Sequence, residues 1–403
     1  VSAPQYGTMW TLGLEAKVAH LDTVEILDRL VGFPTVSSQS NLELIDWVGN
    51  YLKDHGIEFW LDWHRGKKKA SLFALVGPRV AGGVVLSGHS DVVPVTGQDW
   101  RTDPWILTER DGRYYGRGTC DMKGFMAVVL SRVTAADLSR LQRPIQIALS
   151  RDEEIGCLGA LPMIVEMSRQ MPPASAAIIG EPTGMQVVDC HKGGRVYEVK
   201  VHGHSVHSSV PHRGVSAVMV AAHLIDGINQ ENRSMAERKP TETAARFDPS
   251  CSTLHVGRIR GGTARNITAG RCRFDLELRY VPDDDPEKII CRFLEHVCET
   301  EERMQRISHA ARIALHGFAD TPPLVPENRG AAERLALEIA GQTIVHAVPY
   351  ITEAGLFQEG YCSSVVCGPG DIAQAHCADE YIAADQLRQC EAFVDGVIAH
   401  LSE

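Results

Sequence analysis

Up to about residue 190, helix-like stretches of this chain alternate with short segments that are apolar on both faces, and this rhythm is its most constraining feature. Apolar residues recur every three or four positions in Ala16–Leu30 and Leu42–His55, which predicts helices, and Met122–Ala135 and Ala160–Ser168 read as two more. Ser71–Val76, Gly83–Ser87, Ile145–Ser150 and Ala176–Ile179 are short, apolar and bounded by polar residues, which predicts strands. A strand without a polar face belongs in a sheet covered on both sides, so the fold class is α/β, with helices layered on a buried sheet.

Near residue 190 the pattern changes. Gly194–Val201 alternates like a half-buried strand, Val215–Asn229 and Asp285–Glu299 read as helices, and Ser252–Val256, Cys272–Tyr280 and Glu301–His316 as further strands. Two helices and four strands make a compact α+β unit. After the turn-rich stretch Asp320–Arg329 the first rhythm resumes, with a helix at Ala331–Ala340, a strand at Ser363–Cys367 and a helix at Ala384–His400. The expected organisation is a discontinuous domain of residues 1–189 and 321–403, interrupted by an inserted domain of residues 190–320. A length of 403 residues suits two to three domains of about 100–200 residues each.

A net charge of −11, with acids spread along the chain, argues against a nucleic-acid partner, though a local arginine cluster would still serve an anionic small molecule. Val1–Trp10 lacks the basic start and apolar core of a secretory signal, and no apolar run approaches the length that spans a bilayer. Eleven cysteines occur without a Cys-x-x-Cys pair, which reads as reduced, mostly buried thiols in a cytoplasmic protein.

Chemistry concentrates where the apolar segments stop. Val84-Val85-Leu86-Ser87-Gly88-His89-Ser90-Asp91 ends in His-x-Asp, and a period of two puts His89 and Asp91 on one side. A metal-bound imidazole needs an acceptor for its other N–H, and a nearby aspartate supplies one; a turn-forming aspartate is the plainer reading. Asp121 opens a helix, where a carboxylate is also an ordinary cap. Ile147–Ser150 delivers Arg151-Asp152-Glu153-Glu154, either a solvated charge run or two acids aimed at different parts of one site. Glu181 closes Ile178-Ile179-Gly180, and His376 follows Gly368-Pro369-Gly370. Open α/β sheets bind ligands beyond the carboxyl ends of their strands. Gathered there, His89, Asp121, Glu154, Glu181 and His376 form a nitrogen and oxygen donor set suited to two divalent ions, zinc, cobalt or manganese. The chain has neither His-Glu-x-x-His nor Gly-x-Ser-x-Gly.

Distant blocks in order carry a resemblance that spacing alone does not. Ser87–Pro94, Gly116–Gly124, Asp152–Gly156, Gly180–Thr183, Gly203–Ser208, Gly261–Ile267 and Ala375-His376 resemble the M20 metallopeptidase family, and within it the acetylornithine deacetylases. The resemblance implies a zinc-peptidase-like catalytic domain with an inserted lid and dimerisation domain. It makes Asp121 the bridge between two metal ions, with His89 and Glu181 on one and Glu154 and His376 on the other. Glu153 becomes the general base, Asp91 the residue that orients His89, and Asp121–Met122 a cis peptide. The implied reaction is hydrolysis of N-acetyl-L-ornithine to L-ornithine and acetate, a step of arginine biosynthesis. Asn266 and Arg279 are expected on the substrate's α-carboxylate, a group that the planar guanidinium fork matches, and Glu353 on its cationic side chain. A homodimer is implied, with His207 reaching the partner's active site. Other readings are deacylation of a different N-acyl amino acid, desuccinylation of succinyl-diaminopimelate, dipeptide hydrolysis, and a metal-dependent binding protein without turnover.

Overall fold

The computed structural model describes residues 20–403. Val1–Trp10 and the first four residues of the helix expected over Ala16–Leu30 lie outside them. That helix runs from Thr23 to Val31, where Asp22 accepts the backbone N–H of Glu25 while the Glu25 side chain accepts that of Asp22, a reciprocal cap.

The larger layer is an eight-stranded sheet ordered Glu58–Trp63, Ala70–Val76, Ile145–Ser150, Gly83–His89, Ala174–Pro182, Ser363–Gly368, Val188–His191, His346–Val348. Its central strands are parallel: Gly83–His89 pairs with both Ile145–Ser150 and Ala174–Pro182, and Ala174–Pro182 pairs with Ser363–Gly368. Every residue of Gly83–His89 and Ile145–Ser150 is buried, because helices cover both faces. Leu86, Ile147 and Ile178 pack under the helices Gly124–Ala135 and Ala384–Leu401. Val85, Ala148 and Ile179 pack under Ala160–Gln170 and Ala354–Gly360. The parallel arrangement brings the carboxyl ends of these strands to one edge, and the site is built there.

A second, antiparallel sheet has the order Thr253–Gly261, Arg271–Tyr280, Gly193–His202, Arg312–Thr321. The helices Ala217–Ala236 and Pro286–Gln305 cover one of its faces, burying Val199, Val201, Phe274, Leu276 and Leu278. The fold is thus α/β with an inserted α+β unit. The strand expected over Glu301–His316 begins only at Arg312, since Glu301–Gln305 continues the preceding helix. Buried Ile289, Ile290, Phe293, Val297, Thr300 and Met304 keep the helical period through that point.

Several short elements carry too little periodicity to be read from sequence. They include the half-buried edge strand Glu58–Trp63, the helix Ala354–Gly360, and a three-stranded sheet of Thr108–Arg110, Arg113–Tyr115 and Tyr381–Ala383. All eleven cysteines are free. Among the described residues no helix is long and apolar enough to cross a membrane.

Candidate metal centre

His89 ends its strand almost wholly buried, at 1% exposure. Its Nδ1 lies 2.8 Å from the backbone carbonyl of Asp91, an atom that only accepts, so Nδ1 carries the proton and Nε2 faces inward. There Nε2 stands 2.9 Å from Asp121 Oδ1, to which it donates when the imidazole is doubly protonated, and 3.6 Å from Glu181 Oε1. The other Asp121 oxygen, Oδ2, lies 3.2 Å from His376 Nε2, which is 2.9 Å from Glu154 Oε2. Asp121 therefore sits between two imidazoles with one oxygen toward each. The Asp121–Met122 peptide is cis.

Asp91 orients His89 through its main chain; its carboxylate Oδ1 is 3.9 Å from Nδ1. That carboxylate accepts the backbone N–H of Glu153 at 3.0 Å and the Ser37 hydroxyl at 2.6 Å. One aspartate thus ties the end of the His89 strand to the turn carrying Glu153 and Glu154.

Burial dominates the electrostatics. It pushes the Glu153 carboxyl up to about 8, helped by the charge of Glu154 and opposed by His89. Glu154 and Glu181 are also raised by burial and by the negative charge of Asp121. Asp121 goes the other way, because hydrogen bonds from His376 and His89 outweigh its burial. Hydrogen bonds to Asp121 and Glu154 lift His376 to about 10. Burial would lower His89, but its bond to Asp121 and the charge of Glu181 raise it well above the usual range. Cys157 Sγ lies 3.2 Å from Glu153 Oε1, and burial holds the thiol protonated, a donor rather than a thiolate ligand or nucleophile.

Asp121, Glu153, Glu154, Glu181 and His376 open onto a cavity of about 480 Å³, roofed by the inserted sheet. Arg279 lines it, with Nε 2.9 Å from Glu277 Oε1, and Arg258 lines it with Nη2 2.7 Å from Asp275 Oδ2. Asn266 and His207 lie elsewhere, on exposed loops of the inserted domain. His207 forms a backbone bridge with Ile267, and its Nδ1 is 2.8 Å from Ser209 Oγ. Glu353 does not meet the expectation that it faces a substrate. It precedes the helix Ala354–Gly360, which packs on the sheet, so its carboxylate is buried behind the strand ends and accepts the hydroxyls of Ser87 and Ser150.

Residues 85–400 match peptidase family M20/M25/M40. The chain belongs to this family. It is 33% identical over 388 residues to an acetylornithine deacetylase of Shigella sonnei, covering 94% of this chain and 97% of that one. Its fold is shared with human carnosine dipeptidase 1, at a TM-score of 0.74 and 16% identity over 94% of this chain and 96% of that one. It is shared as well with an M20 family metallo-carboxypeptidase of Sulfolobus solfataricus, at a TM-score of 0.74 and 18% identity over 94% of this chain and 99% of that one.

The donor set of this M20/M25/M40 member fits divalent metal. Ligand atoms of His89, Asp121 and Glu154 lie within 4.8 Å of one another, as do those of His89, Glu153 and Glu181. Four carboxylates crowded beside two imidazoles leave negative charge that cations would neutralise. Family and geometry together make the chain a metal-dependent hydrolase of amide or peptide bonds. Distance alone also admits Glu153 as a ligand, alongside the role of base that the resemblance implies for it.

Sequence reasoning missed Glu380, which holds the Asp121 loop in place. Its Oε2 accepts Arg117 Nη1 at 2.6 Å and Gly118 N–H at 3.0 Å, and its Oε1 accepts Cys120 N–H at 2.9 Å and Asp121 N–H at 3.0 Å. Nothing local to Asp379-Glu380-Tyr381 reveals this, because every partner lies more than 250 positions away.

Proposed function

We propose that the protein hydrolyses N-acetyl-L-ornithine to L-ornithine and acetate, as a cytoplasmic homodimer in arginine biosynthesis. The supporting observation is the cavity wall, where two guanidiniums each stand beside a carboxylate: Arg279 with Glu277, and Arg258 with Asp275. N-acetyl-ornithine is dipolar in the same sense, with an α-carboxylate at one end and an ammonium at the other. Arg279 turns from Glu277 to the α-carboxylate with its planar fork, and the released Glu277, with Asp275, meets the ammonium. Similarity to an acetylornithine deacetylase over nearly the whole chain points to the same substrate.

His89, Asp121, Glu154, Glu181 and His376 would hold two divalent ions, zinc in the first instance with cobalt or manganese as substitutes, which supply Lewis acidity to water and to the amide oxygen. Glu153 takes the proton from the attacking water and returns it to the departing nitrogen. Asp91 keeps Glu153 in register with His89 through the bonds described above. Asn266 and His207 act in the neighbouring subunit: Asn266 toward the α-carboxylate, His207 as a donor to the developing oxyanion. Exposed apolar residues of the inserted domain, Met219 at 70% and Ile259 at 48%, offer surface for such a dimer.

The test is release of the free α-amine by the purified protein with zinc, cobalt or manganese. The substrates are N-acetyl-L-ornithine, the side-chain isostere N-acetyl-L-norleucine, succinyl-diaminopimelate and dipeptides. N-acetyl-L-ornithine should lead in kcat/KM by about tenfold or more, the scale of a charge-assisted hydrogen bond. A higher value for a dipeptide or the succinyl compound refutes the assignment, as does no turnover of N-acetyl-L-ornithine with any of the metals.

A further inference from the structure

The solvent face of the inserted sheet changes character along its length. Cross-strand partners share a face, so the register can be read as rows. The rows over the metal centre are mixed: Arg258 opposite Asp275 opposite Glu198, then His255 opposite Glu277. Beyond them, two consecutive rows hold no acid. Arg260 lies opposite Arg273, and Arg273 opposite Lys200; one step further, Arg271 lies opposite His202, and His202 opposite Arg312.

Like charges directly opposite one another destabilise a sheet, and these are only partly relieved. Glu198, from the neighbouring row, meets Lys200 at 2.5 Å and Arg273 at 3.4 Å. Among the described residues Arg260, Arg271 and Arg312 form no ion pair. Burial and the positive charges of Arg312, Arg271 and Lys200 hold the His202 imidazole below its usual range. The side chains are not spread over a flat surface. Lys200, His202, Arg260, Arg271 and Arg273 line a concavity of about 620 Å³ together with Gly261, Gly262 and Thr263, and among the described residues no carboxylate lines it. That volume falls in the range of small-ligand sites, roughly 300–1,000 Å³.

We infer that this end of the inserted sheet is a second binding site, separate from the metal cavity, for a small multivalent anion carrying clustered phosphate or carboxylate oxygens. Concentrated positive charge stands out in a chain whose net charge is −11. Guanidiniums in adjacent rows present several donors to one oxyanion cluster. The bound anion would remove the repulsion within the rows, so binding would also stabilise the inserted domain.

Calorimetric titration of the metal-loaded protein tests this, at constant ionic strength, with inorganic phosphate and with propane-1,2,3-tricarboxylate as separate probes. At least one should bind saturably, and the stronger probe identifies the oxyanion class. The double variant Arg260→Gln/Arg273→Gln should weaken binding by about tenfold or more, while its Tm stays equal to or above that of the wild type because two opposed cations are gone. The metal-site variant Asp121→Asn should bind as the wild type does. Absence of saturable binding overturns the proposal, as does equal binding by the double variant. Loss of binding in Asp121→Asn would place the anion at the metal cluster and overturn it as well. If the wild type ignores both probes while the double variant changes its sedimentation coefficient, a second copy of the chain occupies this face and the proposal is wrong.

Discussion

Replacing Glu380 by Gln should damage the metal centre without touching a donor atom of it. The Glu380 carboxylate is 1% exposed and accepts four hydrogen bonds, one from the Arg117 guanidinium and three from the backbone N–H groups of Gly118, Cys120 and Asp121. Each of its oxygens faces two donors, so whichever oxygen becomes an amide nitrogen, two bonds turn into donor–donor contacts. Bonds to a charged group are worth about 1.5–3 kcal/mol each. Loss of two, with the buried Arg117 left without its counter-charge, costs about 4 kcal/mol once non-additivity among neighbours is allowed for. That is a large share of a stability of about 5–15 kcal/mol. Urea unfolding followed by circular dichroism should show the loss as a lower first midpoint. Elemental analysis should show less metal per chain, because Asp121 is carried on the loosened loop. The paired change Arg117→Met/Glu380→Gln should cost less than the sum of its two single changes, since the guanidinium is then not left buried without its counter-charge. A Glu380→Gln protein within about 1 kcal/mol of the wild type, with full metal content, would refute this reasoning.

Glu153→Ala should retain the fold and most of its metal while kcat falls by about 10²–10⁴, whereas Glu154→Ala should lose metal along with rate; equal metal loss in both variants would sink this division of roles. Arg279→Ala should reduce kcat/KM more on a substrate with a free α-carboxylate than on its matched amide, and an equal fractional loss on the two rules out direct contact. Inactive His207→Ala and Glu153→Ala chains, mixed in equal amounts with subunit exchange verified, should regain activity at about one quarter of all sites if His207 acts in the partner's site; no recovery excludes the shared site. His191, wholly buried, has its imidazole pushed down to about 4 by burial. The unfolded chain therefore takes up this proton first, and stability should fall by roughly 3 kcal/mol as pH drops from 6.5 to 4. His191→Phe should lose correspondingly less over that window in urea midpoints, and parallel losses would refute the assignment.

Much of the centre was legible because its residues follow buried strands. Ile145–Ser150 has the bounds that its apolar run predicts, and the acids after it come to the carboxyl end of a parallel sheet because a run without a polar face must be covered on both sides. His89 and Glu181 were found by the same reasoning, Asp121 and His376 by their blocks of resemblance. Periodicity was informative wherever a helix buried one stripe, and it failed at Glu301–Gln305, where a polar stretch conceals the last helical turn.

The sequence by itself determined the α/β rhythm, the interruption near residue 190 and most of the donor set, since these depend on local pattern and on which residues end each strand. Only the tertiary structure decided what each charge faces. It turned Glu353 away from the cavity, made Glu380 the anchor of a loop far from it in sequence, and moved the orientation of His89 from the Asp91 side chain to its main chain. It also set Arg260, Arg273 and Lys200 in one row from three separate strands. Burial and ion pairing depend on contacts between distant segments, and no local period of a chain encodes them.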